Sequence, residues 1–431
     1  MIPMFKLSTR HKYSPIGLDI GTEGVRMLQL RQDGKRLFVS GIAHKRFNKE
    51  LVENELDQET RRRQAIETVR EILKTGTFHG RKVISCLRAD ELHIKSIRLP
   101  HMSDAEPSQA IMWECKERFG FEPAPDRVHY IRAGQVKQGN ETRDEIILLA
   151  VSENTISAHM EMLSKMHLIP LHVDAEPIAL FRAQNRFLQR IEDSTTVSVL
   201  VDIGLSKTTI IIAKGRRILL IKIIEIGGRH LNQSVSEELN MSYSAAAELR
   251  KRLMANPTST KSNQQHNQPL QQESEDVITQ PQSKQVIWSV SDAIRGRVEA
   301  LAHEINLCLR YCSVTFRGLR PDKITLMGGQ AYDTELVKLM SEYLDTKCVI
   351  AQPLLGIDLS EIEAEADRRT ELTEWSVATG LVLRNMINNI DAAQKYTAAW
   401  VPTSITNANN SDHLTTENIP RGTNYASDKS S

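Results

Sequence analysis

The chain has 431 residues, more than one hydrophobic core ordinarily holds, so two or three compact units are expected. Forty per cent of it is apolar and 25% charged, and 55 basic against 54 acidic residues leave a net charge of +1, which argues against a nucleic-acid protein working through bulk basic charge. No apolar run reaches the roughly 18–20 residues of a membrane span, residues 1–14 lack the apolar core of a secretory leader, and five cysteines make no disulfide framework; a cytosolic chain is expected.

Residues 1–14 are expected to be a flexible start. Residues 15–21 then form an apolar strand ending in Asp19-Ile20-Gly21, followed by Thr22, an alternating strand over 25–30, a polar turn at Asp33-Gly34-Lys35-Arg36 and a strand over 37–42. A helix is expected over 57–73, where Arg61, Arg62 and Arg63 alternate with Glu59, Glu67 and Glu71 as a solvated face rather than a nucleic-acid patch. Further strands are expected over 92–100 and 145–151 and helices around Trp113 and over 155–167; Trp113, like Trp375, reads as a core anchor. The opening pattern then recurs. Residues 197–204 end in Asp202-Ile203-Gly204, followed by Ser206, Thr208 and Thr209, a strand over 209–213, a turn at Lys214-Gly215-Arg216-Arg217 and a strand over 218–226. The separation from Asp to turn glycine is 15 residues from Asp19 to Gly34 and 13 from Asp202 to Gly215, so two related halves are expected.

Residues 255–285 are rich in Gln, Asn, Ser, Thr and Pro and bury too little to offset their ordering entropy, so a disordered insert is expected, and a loose polar tail over 391–431. The long helical pattern over 290–316 repeats apolar residues at three-to-four spacing, with Cys308 and Cys312 as core thiols. A short strand then runs into Gly328-Gly329 ahead of a helix over 335–344. The class is α/β with mixed sheets flanked by helices.

A strand that ends in Asp-x-Gly and turns back exposes backbone N–H groups at the bend, glycine admits a phosphate, and nearby hydroxyls add donors. Carboxylates beside phosphates require a cation, so Asp19 and Asp202 imply Mg²⁺ held largely through water. Either turn alone is as well explained as an ordinary hairpin; their duplication favours two loops clamping a polyphosphate between two lobes. Gly328-Gly329 allows flat approach of a ring or ribose, and equally a tight strand-to-helix turn.

Asp-x-Gly opening both halves, with strand-Gly-Gly near the C-terminus, resembles the actin-like ATPase superfamily. The segment with Arg98-Leu99-Pro100, Met102-Ser103-Asp104, Trp113 and Phe119 to Pro123 narrows the resemblance to the PilM family of type IV pilus assembly, as do Asp174-Ala175-Glu176-Pro177 and Gly227-Gly228-Arg229-His230. The resemblance implies duplicated actin-like (ribonuclease H-like) domains plus a small inserted α+β domain: a first domain over 15–195 with the insertion at about 86–168, and a second over 196–390. It implies ATP and Mg²⁺ as ligands. Asp19, Gly21 and Thr22 would form one phosphate loop, and Asp202, Gly204, Ser206, Thr208 and Thr209 the other, with Lys207 as a further phosphate contact. Gly227-Gly228 would open a helix over the nucleotide, Gly328-Gly329 would cradle the adenosine, and Glu248 and Lys251, on one helix face, would hold the ribose. Two departures stand out: Glu23 in the first loop, where a small residue is usual, and the larger Leu205 and Lys207 in the second. Glu176 is the candidate for positioning an attacking water, but no residue is clearly marked as a base, so ATP binding is expected with hydrolysis weak or absent.

The implied function is a cytoplasmic nucleotide-binding scaffold, recruited to the inner membrane by gripping the N-terminal tail of a PilN-like protein near residues 92–99. Self-association stays open, and no nucleic acid or transmembrane segment is expected. The alternatives are a small-molecule kinase, for which Asp90 and Glu91 are the acids in place, and an FtsA-like filament former, whose amphipathic membrane helix is not matched in residues 407–431.

Overall fold

The computed structural model describes residues 12–48, 57–101, 107–121, 123–188, 190–255, 281–362, 372–386 and 399–400. The strands are β1 (Lys12–Tyr13), β2 (Ile16–Ile20), β3 (Gly24–Asp33), β4 (Arg36–Arg46), β5 (Lys82–Leu87), β6 (His93–Pro100), β7 (Val128–Gln138), β8 (Glu141–Ala150), β9 (Ile169–Ala175), β10 (Val197–Ile203), β11 (Thr208–Lys214), β12 (Arg217–Ile224), β13 (Ile324–Met327), β14 (Cys348–Ile350) and β15 (Ala399–Trp400). The helices are α1 (Gln58–Lys74), α2 (Pro107–Phe119), α3 (Glu153–Lys165), α4 (Glu176–Asn185), α5 (Gly228–Glu238), α6 (Tyr243–Ala255), α7 (Pro281–Thr315), α8 (Thr334–Leu344) and α9 (Ser376–Leu383).

The duplication is visible in the pairing. In the first sheet β4, β3 and β2 form an antiparallel meander, and β5 and β9 add in parallel beside β2. In the second, β12, β11 and β10 form the same meander and β13 and β14 add in parallel beside β10. The central strands read as near-continuous apolar runs because both faces are covered. Ile16, Leu18, Val83, Ile84 and Val173 lie in one core, and Val199, Val201, Ile210, Ile212 and Leu326 in the other. The stripe expected on the long helix packs there too, with Ile294, Val298, Leu301 and Ile305 buried.

Between β5 and β9 the chain builds a separate antiparallel sheet in the order β6-β8-β7, closed by α2 over Ile97, Leu99, Ile111, Cys115, Ile146 and Leu148. Its strand β6 pairs only with β8 within the sheet, leaving its other edge unpaired among the described residues. The sheet is tied to the second lobe. Arg98 Nε donates to Glu145 Oε2 at 2.8 Å, and the Tyr311 hydroxyl on α7 donates to Glu145 Oε1.

Helix α9, from the second half of the chain, crosses α4 and packs back onto the first sheet beside Gly17 of β2. At that crossing a Cβ on Gly380 would stand 1.8 Å from the Ala179 carbonyl oxygen, so only glycine permits the approach. Beneath it Arg182, with its side chain 2% exposed, donates to Asp174 at 2.8 Å and to the Gly380 carbonyl at 2.9 Å, while Arg384 reaches Asp174 at 3.3 Å.

Three expectations need correction. Trp113 is 62% exposed and anchors no core, because the apolar face of α2 is supplied by Ile111 and Cys115; Trp375 is buried as expected. The long helix starts at Pro281, inside the segment read as an insert, since helical propagation carries through the polar turn preceding its apolar stripe. In the tail, Ala399 and Trp400 pair antiparallel with Asp174 and Val173 of β9, whose outer edge accepts them. Residues 256–280 of the expected insert and 401–431 of the expected tail lie outside the described residues, as does the 1–11 stretch of the expected flexible start.

Candidate functional site

The two Asp-x-Gly bends fold alike. Gly21 N–H donates to the Gly24 carbonyl at 2.9 Å, and Gly204 N–H to the Lys207 carbonyl at 3.0 Å, each closing a four-residue turn directly after its strand. The matching sheets bring the two turns to face each other across one cleft. A narrow compartment of about 110 Å³ is lined by Asp19, Gly21, Thr22, Asp202, Gly204, Ser206, Lys207, Thr209, Glu176 and Gly328. It opens, past Glu23, Arg26, Gly329, Gln330 and Glu374, into a wider compartment of about 330 Å³ walled by Tyr243, Ala247, Glu248, Lys251 and Met254.

Of the six acidic residues lining the narrow compartment, which include Glu23, Asp90 and Glu374, three are deeply buried and influence one another: Asp19, Glu176 and Asp202. Burial and the neighbouring charge of Asp19 push Asp202 up to about 7, against Arg26. Burial and the charge of Asp202 push Glu176 up to about 8, although its Oε2 accepts the Ala89 N–H at 2.6 Å. Burial also raises Asp19, opposed by Arg26, whose Nη1 stands 3.6 Å from the carboxylate, and by Arg88. Like charges held this close disfavour full ionisation, and a divalent cation would relieve them. Among the described residues no three His, Cys, Asp or Glu side chains converge to hold a metal directly. The donor set therefore fits a hydrated Mg²⁺, which keeps most of its waters and takes carboxylates at second hand.

Not every expected residue reaches the cleft. Thr208 is fully buried and its hydroxyl donates to the Ile226 carbonyl at 2.6 Å, so it braces the second loop from behind, because β11 turns alternate side chains away from the opening. Gly227 and Gly228 line neither compartment. A Cβ on Gly227 would lie 2.7 Å from the Leu205 carbonyl oxygen, and one on Gly228 would strike the Gln330 side chain, so this pair lets α5 pack beneath the loop and beneath Gln330. Lys207 lines the compartment with its ammonium 2.8 Å from Glu225. Glu248 and Lys251 face the wider compartment together, with Arg252 3.5 Å from Glu248.

Gly328 and Gly329 differ in kind. Gly328 has φ +82° and would press a Cβ to 2.6 Å from the Ile203 carbonyl, whereas a Cβ on Gly329 meets nothing. Gly329→Val is therefore expected to fill the cleft, lowering ATP affinity by about tenfold with little change in melting temperature, while Gly328→Val is expected to lower the melting temperature itself. Calorimetric titration beside thermal melts separates the two.

Several cleft residues were missed from sequence. Arg26 stands directly across the hairpin from Asp19, a pairing that counting outward from the Gly21–Gly24 turn would have revealed. Arg88 lines the compartment and is ion-paired with Asp90. Arg250, buried beneath the wider compartment, donates to Asn232 Oδ1 at 2.6 Å, Asp333 at 2.8 Å and Gln330 Oε1 at 3.1 Å, holding the Gly329–Tyr332 turn against α5. Glu374 accepts the Tyr332 hydroxyl at the cleft rim. No local pattern announces these last contacts.

Comparison with known proteins agrees with this geometry. A family model described as type IV pilus assembly protein PilM matches residues 17–276, and one described as cell division protein FtsA matches residues 199–380. No curated protein matches the sequence. Among solved structures, the PilM-PilN type IV pilus biogenesis complex aligns at 20% identity with a TM-score of 0.64, covering 86% of this chain and 98% of that one. Ethanolamine utilization protein EutJ from Carboxydothermus hydrogenoformans aligns at 14% identity and a TM-score of 0.47, over 86% of this chain and 89% of that one. MreB5 of Spiroplasma citri bound to AMPPNP aligns at 13% identity and 0.40, over 88% and 98%. With the duplicated sheets and paired turns in place, and more than half of its length matched by the family model, the chain belongs to the PilM family of type IV pilus assembly proteins, with the actin-like α/β fold.

Proposed function

We propose that the protein is a cytoplasmic nucleotide-binding scaffold of type IV pilus assembly that holds ATP and Mg²⁺ between its lobes and grips the N-terminal tail of a PilN-like inner-membrane protein. The observation that carries the nucleotide reading is the pair of turns set face to face, each closed by a glycine N–H on the carbonyl three residues on and each with an aspartate at its base. The narrow compartment has room for phosphates and the wider one for a nucleoside, with Glu248 and Lys251 placed for the ribose. Asp19 and Asp202 would hold the hydrated cation, which supplies the charge that lets phosphates sit beside carboxylates. Turnover is expected to be weak or absent: Glu176, its carboxyl raised to about 8 by burial and the charge of Asp202 in the ligand-free cleft, is only partly ionised near neutral pH, and no second base is assigned. Of the two acids of the kinase reading, Asp90 lines the narrow compartment but is ion-paired with Arg88, and Glu91 does not line it and accepts the Arg88 backbone N–H at 3.1 Å.

The tail reading is supported by the unpaired edge of β6, where an extended peptide can add a strand, and by the PilN partner of the aligned solved complex. Fluorescence anisotropy of a labelled tail from a co-expressed PilN-like protein is expected to rise saturably with this protein and not with a scrambled tail. No saturable rise with any such tail would remove the docking role and leave the nucleotide cleft standing.

A further inference from the structure

Two open cavities outside the cleft meet at Lys214 and Arg217 of the β11–β12 turn, one against the three-stranded sheet and the other against the 188–194 segment that leads into β10. One, of about 340 Å³, is lined by Lys137 of β7, Lys214 and Arg217 around the β11–β12 turn, and Arg317 just past α7. The other, of about 450 Å³, shares Lys214 and Arg217 and adds Arg190 and Arg216. Among the described residues the only carboxylate lining either is Asp193, whose Oδ2 accepts the backbone N–H of Arg190 at 2.8 Å. Glu192 is an exposed neighbour in sequence. Among the described residues no carboxylate forms an ion pair with the side chains of Lys137, Arg190, Lys214, Arg217 or Arg317. In a chain of net charge +1 this is a local segregation of positive charge.

Beside the charges stand bare apolar side chains. Ile191, in the same cavity as Arg190 and Arg216, is 90% exposed. Phe187, four residues earlier in the chain, and Leu355 are exposed too and are joined by Arg186, which stacks on the Phe187 ring at 4.4 Å and donates to the Leu355 carbonyl at 2.6 Å. The sheet edges here, β7 and β12, pack against each other, so an extended peptide finds no open strand to pair with. Side-chain cations with protruding apolar tips are what an anionic membrane surface recognises.

We propose that this groove binds an anionic bilayer directly, Lys137, Arg190, Lys214, Arg217 and Arg317 meeting lipid phosphates while Ile191 and Phe187 enter the interfacial region. The contact is independent of any protein tail and of the nucleotide, because it shares no lining residue with the cleft. It gives the scaffold a second attachment, of the kind that makes weak peripheral binding stable.

The test is flotation of the full chain with protein-free vesicles of phosphatidylcholine alone or with about 30% phosphatidylglycerol, where each removed basic charge is expected to weaken partition about fivefold. Flotation with the anionic vesicles only, reversed by high salt, is expected. Lys214→Glu with Arg217→Glu, and separately the exposed pair Lys137→Glu with Arg317→Glu, should each weaken it at least about 25-fold while ATP affinity is unchanged; Ile191→Ser should weaken it further in either background. Absence of flotation, flotation of both charge-reversed pairs equal to that of the wild type, or flotation insensitive to Ile191→Ser and abolished by soluble polyglutamate would overturn the proposal, the last by assigning the groove to acidic peptides.

Discussion

Arg182→Leu is expected to cost on the order of 3–5 kcal/mol of stability, because it strips one cation from a fully buried carboxylate and leaves the charge behind. Asp174 has no solvent exposure, and burial by itself pushes its carboxyl up; the guanidiniums of Arg182 and Arg384 together outweigh that and hold it below the ordinary value. With a depressed folded pKa, Asp174 contributes stability above its unfolded pKa and loses it as pH falls through the folded one. Without Arg182 the balance moves towards burial, so the deficit against wild type is expected to be largest at neutral pH and to narrow as pH falls through the carboxylate range. The thermal midpoint at pH 7 should fall by about 5–10 °C. Adding Asp174→Asn should recover part of the loss, since it removes the uncompensated charge. A midpoint unchanged at pH 7 would mean that the α4–α9 crossing is held by its close backbone packing alone.

The duplicated meander was legible because strand, acidic bend and returning strand follow one another within a few residues, and local order needs no knowledge of distant partners. The same locality made Asp19, Asp202 and the glycines of both bends visible. Residues whose role depends on register were harder. Arg26 becomes a partner of Asp19 only when the hairpin is paired, and Thr208 is lost to the cleft only because the strand turns it inward. Residues whose role depends on contacts far along the chain were invisible. Arg250 carries no local signal, and it is buried against Asp333, some eighty positions away, in the turn that follows Gly328. Gly227-Gly228 opens a helix as expected, but the space a Cβ would take there is filled by Gln330 and the second loop, so the pair lines neither compartment. Trp113 failed for a simpler reason: an aromatic residue gives no sign of which helix face it occupies when the apolar stripe is short.

Asp19→Ala combined with Asp202→Ala is expected to weaken Mg²⁺-ATP binding by on the order of 100-fold or more, each lost charge-assisted contact costing about 1–3 kcal/mol. The pH dependence carries the signature. Asp202 at about 7 and Glu176 at about 8 hold protons in the ligand-free fold that the unfolded chain releases at ordinary carboxylate values. A raised folded pKa means that the folded state binds more protons over that interval, so ligand-free stability falls as pH rises from about 4 towards 8 and levels off above. Binding of a hydrated cation requires the ionised carboxylates, so the affinity for Mg²⁺-ATP should rise over the upper part of the same interval. The thermal shift produced by Mg²⁺-ATP should then be larger at pH 8 than at pH 6 in the wild type. In the double variant that difference should largely vanish, and its ligand-free form should melt higher than the wild type at pH 8, because two of the three mutually repelling acids are gone. Chelation of Mg²⁺ should reproduce the affinity loss without raising the ligand-free midpoint, which separates the cation's role from the repulsion it relieves. Titration calorimetry at the two pH values decides the matter: unaltered affinity in the double variant would mean that the facing bends do not hold the phosphates.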